Sequence, residues 1–249
     1  MAALGSGDRL RPRIEAAGRA VVERAAQWRE SLAALVLPLR CPVCGSPAER
    51  ERVVCEPCWA AIPRLDERLC ARCLGRGSDP VNCRAHPDHA CWCAWIYDDR
   101  AACLIRALKY EGRRALAWRL GERLAESLAM NYRPDLVVEV PMHGVRRRER
   151  GFNQAARLAE AAAARLSAPW LMGALIRSRP TPPQTGLGAG ARRRNLRGAF
   201  RVRDPEALRG RKVLLVDDVI TTGSTLECCL GELRACGAEA VAAVVAWAS

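Results

Sequence analysis

Apolar positions along this chain follow three different rules in three successive stretches. Near the start, Ile14, Val21, Ala25, Trp28, Leu32 and Leu35 recur at intervals of seven, four, three, four and three. That is one face of a helix, with Arg and Glu opposite. From Ala94 onward, helical stripes alternate with solid aliphatic runs. Helices are expected from Ala101 to Lys109, Leu116 to Leu128, Gln154 to Leu166 and Leu226 to Ala235. The runs DLVVEVP (Asp135 to Pro141), VLLVDD and the closing AVAAVVAWA read as strands buried on both faces. Such alternation predicts an α/β fold, a parallel sheet flanked by helices. In sheets of this kind ligands bind beyond the carboxyl ends of the strands.

The stretch between obeys neither period and is set by cysteine. Ten of the 13 cysteines lie between Cys41 and Cys103. Cys41 and Cys44 form one C-x2-C pair, and Cys55 and Cys58 another, ten residues on. Each pair can wrap a turn around a metal ion, and two pairs close a tetrahedral site of four thiolates, as zinc prefers. A second unit nearly repeats the first. Cys70 and Cys73 are followed nine residues later by Cys83 and His86, a C-x2-H pair. Cys91 and Cys93 compete for the last two places, so one or two zinc ions are expected. A region with so little core of its own needs such staples to fold. His89 is expected at the surface. Cys228, Cys229 and Cys236 are expected to be buried small apolar residues.

The strand VLLVDD ends in two adjacent carboxylates, Asp217 and Asp218, followed by an uncharged loop, Thr221, Thr222, Gly223, Ser224 and Thr225. A turn of this composition into a helix presents hydroxyls and backbone N–H groups at a positive helix end, which suits phosphate. Glycine there allows a positive φ or a close approach. Two carboxylates would repel that phosphate unless they serve another part of the same ligand. Vicinal hydroxyls of a ribose are good donors to them. Replacing both acids by amides should relieve their mutual repulsion.

The stretch VLLVDDVITTGST resembles the phosphoribosyl pyrophosphate (PRPP) signature of type I phosphoribosyltransferases. The resemblance implies that Asp217 and Asp218 hold the ribose hydroxyls and that Thr221 to Thr225 bind the 5-phosphate, with magnesium on the pyrophosphate. A narrower resemblance, from about Leu37 onward, is to the ComF family of competence-associated, phosphoribosyltransferase-like proteins. It is carried by the cysteine pairs after LPLRCPVCG, by ALKYEGRR (Ala107 to Arg114), by VPMHGVRRRERGFNQA (Val140 to Ala155) and by PPQTGL with RRRNLRGAF (Pro182 to Phe200). It implies a type I phosphoribosyltransferase-like sheet with a small N-terminal zinc-ribbon domain. The expected divisions are 1–40 for the amphipathic segment, 41–93 for the zinc-ribbon region and 94–249 for the transferase-like domain. In the wider transferase family the loop after the strand ending at Pro141 contacts pyrophosphate, so Arg146, Arg147, Arg148 and Arg150 are expected there, with forked donors suited to phosphate oxygens. Asn153 is the expected cap of the next helix. His143 lies near that loop but forms no obvious dyad. The segment from Arg177 to Arg197 suits a flap over an anionic ligand or a contact to single-stranded nucleic acid, with Gln184 and Asn195 orienting backbone.

Charge widens the range of partners without choosing among them. The net charge is +13, and of 40 basic residues only Lys109 and Lys212 are lysine. An excess of this kind suits phosphorylated ligands or nucleic acid. Family resemblance adds DNA-uptake proteins as partners and a role in DNA uptake or recombination. A magnesium-dependent transferase with an unread acceptor and a DNA-binding protein with a regulatory PRPP site are both compatible with these residues. No apolar run reaches the length of a membrane span and no signal peptide is visible, so a cytoplasmic location is expected.

Overall fold

The structure is a computed structural model that describes residues 39–48, 53–74, 83–86, 89–128, 132–178, 195–196 and 198–248. The expected N-terminal helix, and most of the expected flap including Gln184, lie outside the described residues.

Within them the order is α1 (Glu56–Ala60), β1 (Arg64–Cys70), β2 (Ala90–Ile96), α2 (Asp99–Tyr110), α3 (Ala115–Leu128), β3 (Leu136–Glu139), α4 (Gly144–Arg150), α5 (Gln154–Leu166), β4 (Leu175–Arg177), β5 (Phe200–Val202), β6 (Lys212–Ile220), α6 (Ser224–Ala235) and β7 (Glu239–Trp247). Five strands form one sheet in the order β1-β2-β7-β6-β3. Four of them are parallel, and β1 joins antiparallel to β2. The sheet is therefore mixed but mostly parallel. Its outer hairpin comes from the cysteine-rich region, so it crosses the expected division at 93/94.

Both faces of the sheet are covered, and β6 shows how. Leu214 and Val216 join a core with Leu104, Leu120, Leu124 and Leu158 from α2, α3 and α5. Val213 and Leu215 join another with Leu226, Leu230 and Leu233 of α6 and Phe200 of β5. A strand buried on both faces has no polar positions to spend, which explains its solid aliphatic run. The small sheet β4–β5 packs on this second side.

Local signals start the helices. The Asp98 carboxylate accepts from Ala101 N at 2.9 Å and caps α2. Asn153 caps α5 as expected, accepting from Ala155 N at 3.2 Å. Helices α3 and α5 cross closely because Gly121 has no side chain. A Cβ there would stand 2.5 Å from Ala161 Cβ and 2.7 Å from Leu158 O. Buried Arg123 on α3 is ion-paired with Asp66 of β1 and donates to Ala94 O at 3.4 Å, tying the outer hairpin to the helices.

Candidate functional site

The site forms where β6 runs out of core. Its first half is buried on both faces, but Asp217 is half-buried and Asp218 is 5% exposed. Asp218 N donates to Asp217 Oδ1 at 2.9 Å. The two carboxylates are not left to repel each other alone. Lys109, near the end of α2, is ion-paired with Asp218. Burial works against the Lys109 charge, but Asp218 and Asp217 outweigh it and hold the ammonium above its usual pKa. Burial, and then the charge of Asp218, push the Asp217 carboxyl well above its ordinary range. The pair thus has one acid held by a counter-charge and one that resists ionisation.

Beyond the acids the chain enters the loop. Gly223 has φ of +71° and sits at the N-cap of α6, which has no side-chain cap. Thr222 Oγ1 and buried Ser224 Oγ lie 3.1 Å apart. Asp217 and residues 219–226 line a small cradle of about 50 Å³. Gly223 is required there for a second reason: a Cβ would stand 2.2 Å from the carbonyl oxygen of Ala71. Ala71 lies between Cys70 and Cys73, so the loop rests directly on the second cysteine unit.

A larger cavity of about 240 Å³ adjoins the acids and Thr225. Arg146 and Arg150 line it, together with Lys109, Gln154 and Arg177. The segment expected as a loop is the helix α4, capped by His143 Nδ1, which accepts from Val145 N at 3.3 Å. Its turn explains why Arg146 and Arg150 share one face, four residues apart. Arg147 and Arg148 are exposed and do not line the cavity. Arg150 is fixed by donating to Gln154 Oε1 at 2.7 Å. Burial and the neighbouring Arg146 lower the pKa of Arg177. Lys109, Gln154 and Arg177 were not singled out as site residues from sequence. The available signal was Lys109, one of two lysines among 40 basic residues.

The cysteine units form two compact donor sets. The ligand atoms of Cys41, Cys44, Cys55 and Cys58 lie within 4.8 Å of one another, as do those of Cys70, Cys73, Cys83 and His86. Around zinc, bonds of about 2.3 Å to sulfur and ~2.1 Å to nitrogen imply tetrahedral edges of roughly 3.5–3.8 Å. The observed edges match: Cys44 Sγ to Cys55 Sγ is 3.5 Å, Cys73 Sγ to Cys83 Sγ is 3.5 Å, and His86 Nδ1 stands 3.4–3.7 Å from three sulfurs. Hydrogen bonding, chiefly with Ser46, lowers the Cys44 thiol to about 6. Against burial, contacts with Cys73 and His86 lower Cys83 to about 7. Burial and the neighbouring thiols push the other way at Cys58, which is raised, and at Cys73, pushed up to about 12, so the thiols of one set do not ionise alike; binding a metal deprotonates them together. Cys91 and Cys93, the rival ligands, are fully buried in β2 within the second core. His89, expected at the surface, is half-buried with Nδ1 enclosed. Of the three C-terminal cysteines Cys229 is fully buried, while Cys228 and Cys236 are half-buried.

Fold and site together define a phosphoribosyltransferase-like protein. The phosphoribosyl transferase domain family matches residues 115–249, and the double zinc ribbon domain family matches residues 32–91. The DNA utilization protein YhgH of Escherichia coli O157:H7 is 33% identical over 193 residues, covering 75% of this chain and 80% of the relative. Competence protein F of Haemophilus influenzae is 39% identical over 109 residues, 43% of this chain and 48% of the relative. Solved structures with partial likeness include a purine phosphoribosyltransferase from Pyrococcus horikoshii, 22% identical at a TM-score of 0.33, covering 53% of this chain and 73% of that one. The chain belongs to the ComF family, whose members pair a zinc ribbon with a phosphoribosyltransferase domain. Among the described residues no helix is long and apolar enough to cross a membrane.

Proposed function

We propose that this protein binds PRPP with magnesium at the carboxyl end of β6. Asp217 and Asp218 accept hydrogen bonds from the ribose hydroxyls, and Thr221, Thr222, Gly223, Ser224 and Thr225 hold the 5-phosphate. Arg146 and Arg150, with Arg177, take the pyrophosphate. The observation that carries this reading is one continuous arrangement: two acids, a hydroxyl-lined cradle, and an arginine-lined cavity that touches Asp217, Asp218 and Thr225. Magnesium would neutralise charge on the pyrophosphate as it leaves the ribose carbon. The arginines bind and orient that group, and guanidinium forks match its oxygens. Lys109, paired with Asp218, holds that carboxylate in place to accept from a hydroxyl. Each of the two donor sets takes one zinc, for which the cysteine clusters and the double zinc ribbon match are the support.

Calorimetric titration with PRPP and magnesium tests the reading. One site per chain is expected, weakened by more than roughly tenfold in Asp217→Asn/Asp218→Asn, since even one charge-assisted hydrogen bond contributes about 1.5–3 kcal/mol. Unchanged affinity in that variant would remove the ribose assignment.

A second reading draws on the relatives named for DNA utilization and competence. In it the chain binds single-stranded DNA, and the PRPP site regulates that binding. Affinity for an oligonucleotide would then fall steeply with salt, and replacing Arg192, Arg193 and Arg194 together would flatten the slope. Absence of binding at low salt would end this reading.

A further inference from the structure

Glu139 is the last residue of β3 and is 5% exposed. Burying a carboxylate is costly unless its oxygens are hydrogen-bonded. Here each oxygen has its own donor: Trp170 Nε1 donates to Oε2 at 2.9 Å, and Gly173 N donates to Oε1 at 2.8 Å. A carboxylate accepts at both oxygens, whereas an amide would turn its own N–H groups toward one of these donors. The arrangement therefore selects glutamate over glutamine or an apolar residue.

The two donors belong to the segment that carries the chain around the edge of the sheet. Beyond α5 it runs beside β3, with Val137 N donating to Pro169 O and Leu171 N to Val137 O, both at 2.9 Å. Trp170 packs against the core on the helical face, and Leu171, Ala174 and Leu175 join the core on the opposite face. Glu139 thus grips the crossover on both sides of the edge strand. Gly173, with φ of +69°, turns the chain toward β4, whose last residue, Arg177, lines the arginine cavity. Val140, Pro141 and Met142, which directly follow Glu139, line the same cavity. In the sheet Glu139 pairs with Val216, one residue before Asp217.

We infer that Glu139 is a positioning residue for this cavity. By holding Trp170 and Gly173 it fixes the spacing between the wall that follows β3 and the wall that bears Arg177. It touches no ligand and acts through Arg177. The inference rests on the reading that the cavity takes pyrophosphate.

The test titrates the full chain with PRPP and with ribose 5-phosphate, which lacks the pyrophosphate, both with magnesium. Wild type should bind PRPP the more tightly. Glu139→Gln should weaken PRPP by roughly tenfold and leave ribose 5-phosphate within about twofold. Arg177→Gln should weaken PRPP comparably. The double variant should be no more than about twofold weaker than either single one, because both changes remove the same contact. Trp170→Phe removes one donor and keeps the packed ring, so it should weaken PRPP by about threefold even if Glu139→Gln does not fold. If wild type binds neither ligand, the reading of the main site falls and the inference with it. Equal wild-type affinity for the two ligands would take pyrophosphate out of the cavity and overturn the inference, while the ribose and phosphate assignments stand. If wild type discriminates but Trp170→Phe and any folded Glu139→Gln match it, Glu139 positions nothing. Parallel losses for both ligands, or losses that multiply in the double variant, would make its role a general structural one and overturn the inference.

Discussion

The two cysteine clusters repeat nearly the same spacing, but they are set into the molecule differently. The first is held to the helices by side chains. Arg119 of α3 donates to Val54 O at 2.9 Å and to Glu56 at 2.7 Å, and lies 4.0 Å from the centroid of the Trp59 ring. Trp59 in turn meets Trp95 edge-on at 4.8 Å. None of this cluster's residues lines the cradle or the arginine cavity. The second cluster is part of the sheet. Cys70 ends β1, Ala71 N donates to His89 O at 2.8 Å, and Leu69 and Leu74 share a core with Leu226 and Leu230 of α6. Its Ala71 carbonyl is the surface against which Gly223 turns. One spacing thus yields two roles: the first cluster joins the core on the helical side of the sheet, while the second supports the floor of the phosphate loop.

The largest effect that separates them is on stability. Cys73→Ser and Cys44→Ser should each lose one zinc by metal analysis. Cys73 is buried and Cys44 exposed, so loss of Cys73 should lower the melting temperature by more than ~10 °C, and Cys44→Ser by clearly less. A larger drop for Cys44→Ser would reverse the comparison.

Next come two glycines with nearly equal backbone angles. Gly45 in the first cluster has φ of +74° and Gly223 has +71°, but a Cβ at Gly45 meets nothing within 4 Å. Gly45→Ala should cost only the conformational strain, about 1 kcal/mol. Gly223→Ala must in addition push the loop off Ala71, and should weaken PRPP binding by more than roughly tenfold. Equal effects on binding would mean that the contact does not position the loop.

The acids should then part company, contrary to the sequence expectation that removing both simply relieves repulsion. Asp218→Asn strips Lys109 of its ion-pair partner and should destabilise by about 2–4 kcal/mol. Asp217→Asn should stabilise at neutral pH, because the folded state resists ionising that carboxyl. The sign follows from linkage: unfolded Asp217 ionises near pH ~3.9 while the folded acid keeps its proton, so wild-type stability falls as pH rises from there. The gain of Asp217→Asn over wild type should therefore be near zero at pH ~4 and grow upward. Melts between these limits would show it, and a gain that shrinks with pH would contradict it.

The smallest effect is Arg119→Met, which should lower stability by about 0.5–1.5 kcal/mol and leave PRPP affinity unchanged.

Much of this was legible in sequence, for reasons of range. Strand β6, its acids and the loop occupy one continuous stretch, and α5 was bounded from Gln154 to Leu166 by its cap and its stripe. C-x2-C and C-x2-H units encode their own geometry locally, so both donor sets emerged as expected. Contacts between distant segments were not legible. Lys109 reaches Asp218 across 109 positions, and Ala71 meets Gly223 across more. The arginine run carries no apolar stripe to reveal that it is the helix α4, which alone decides that Arg146 and Arg150 share a face. The hairpin β1–β2 hid among metal ligands, where cysteine spacing masks the alternation of a strand.

The claim that the second cluster supports the phosphate loop is tested most directly by titrating PRPP and magnesium into Cys44→Ser and His86→Ala side by side with wild type. Cys44→Ser should bind within about twofold of wild type, and His86→Ala should lose roughly tenfold or more. Equal affinity in all three would show that the loop holds its shape without the second cluster and would contradict the account.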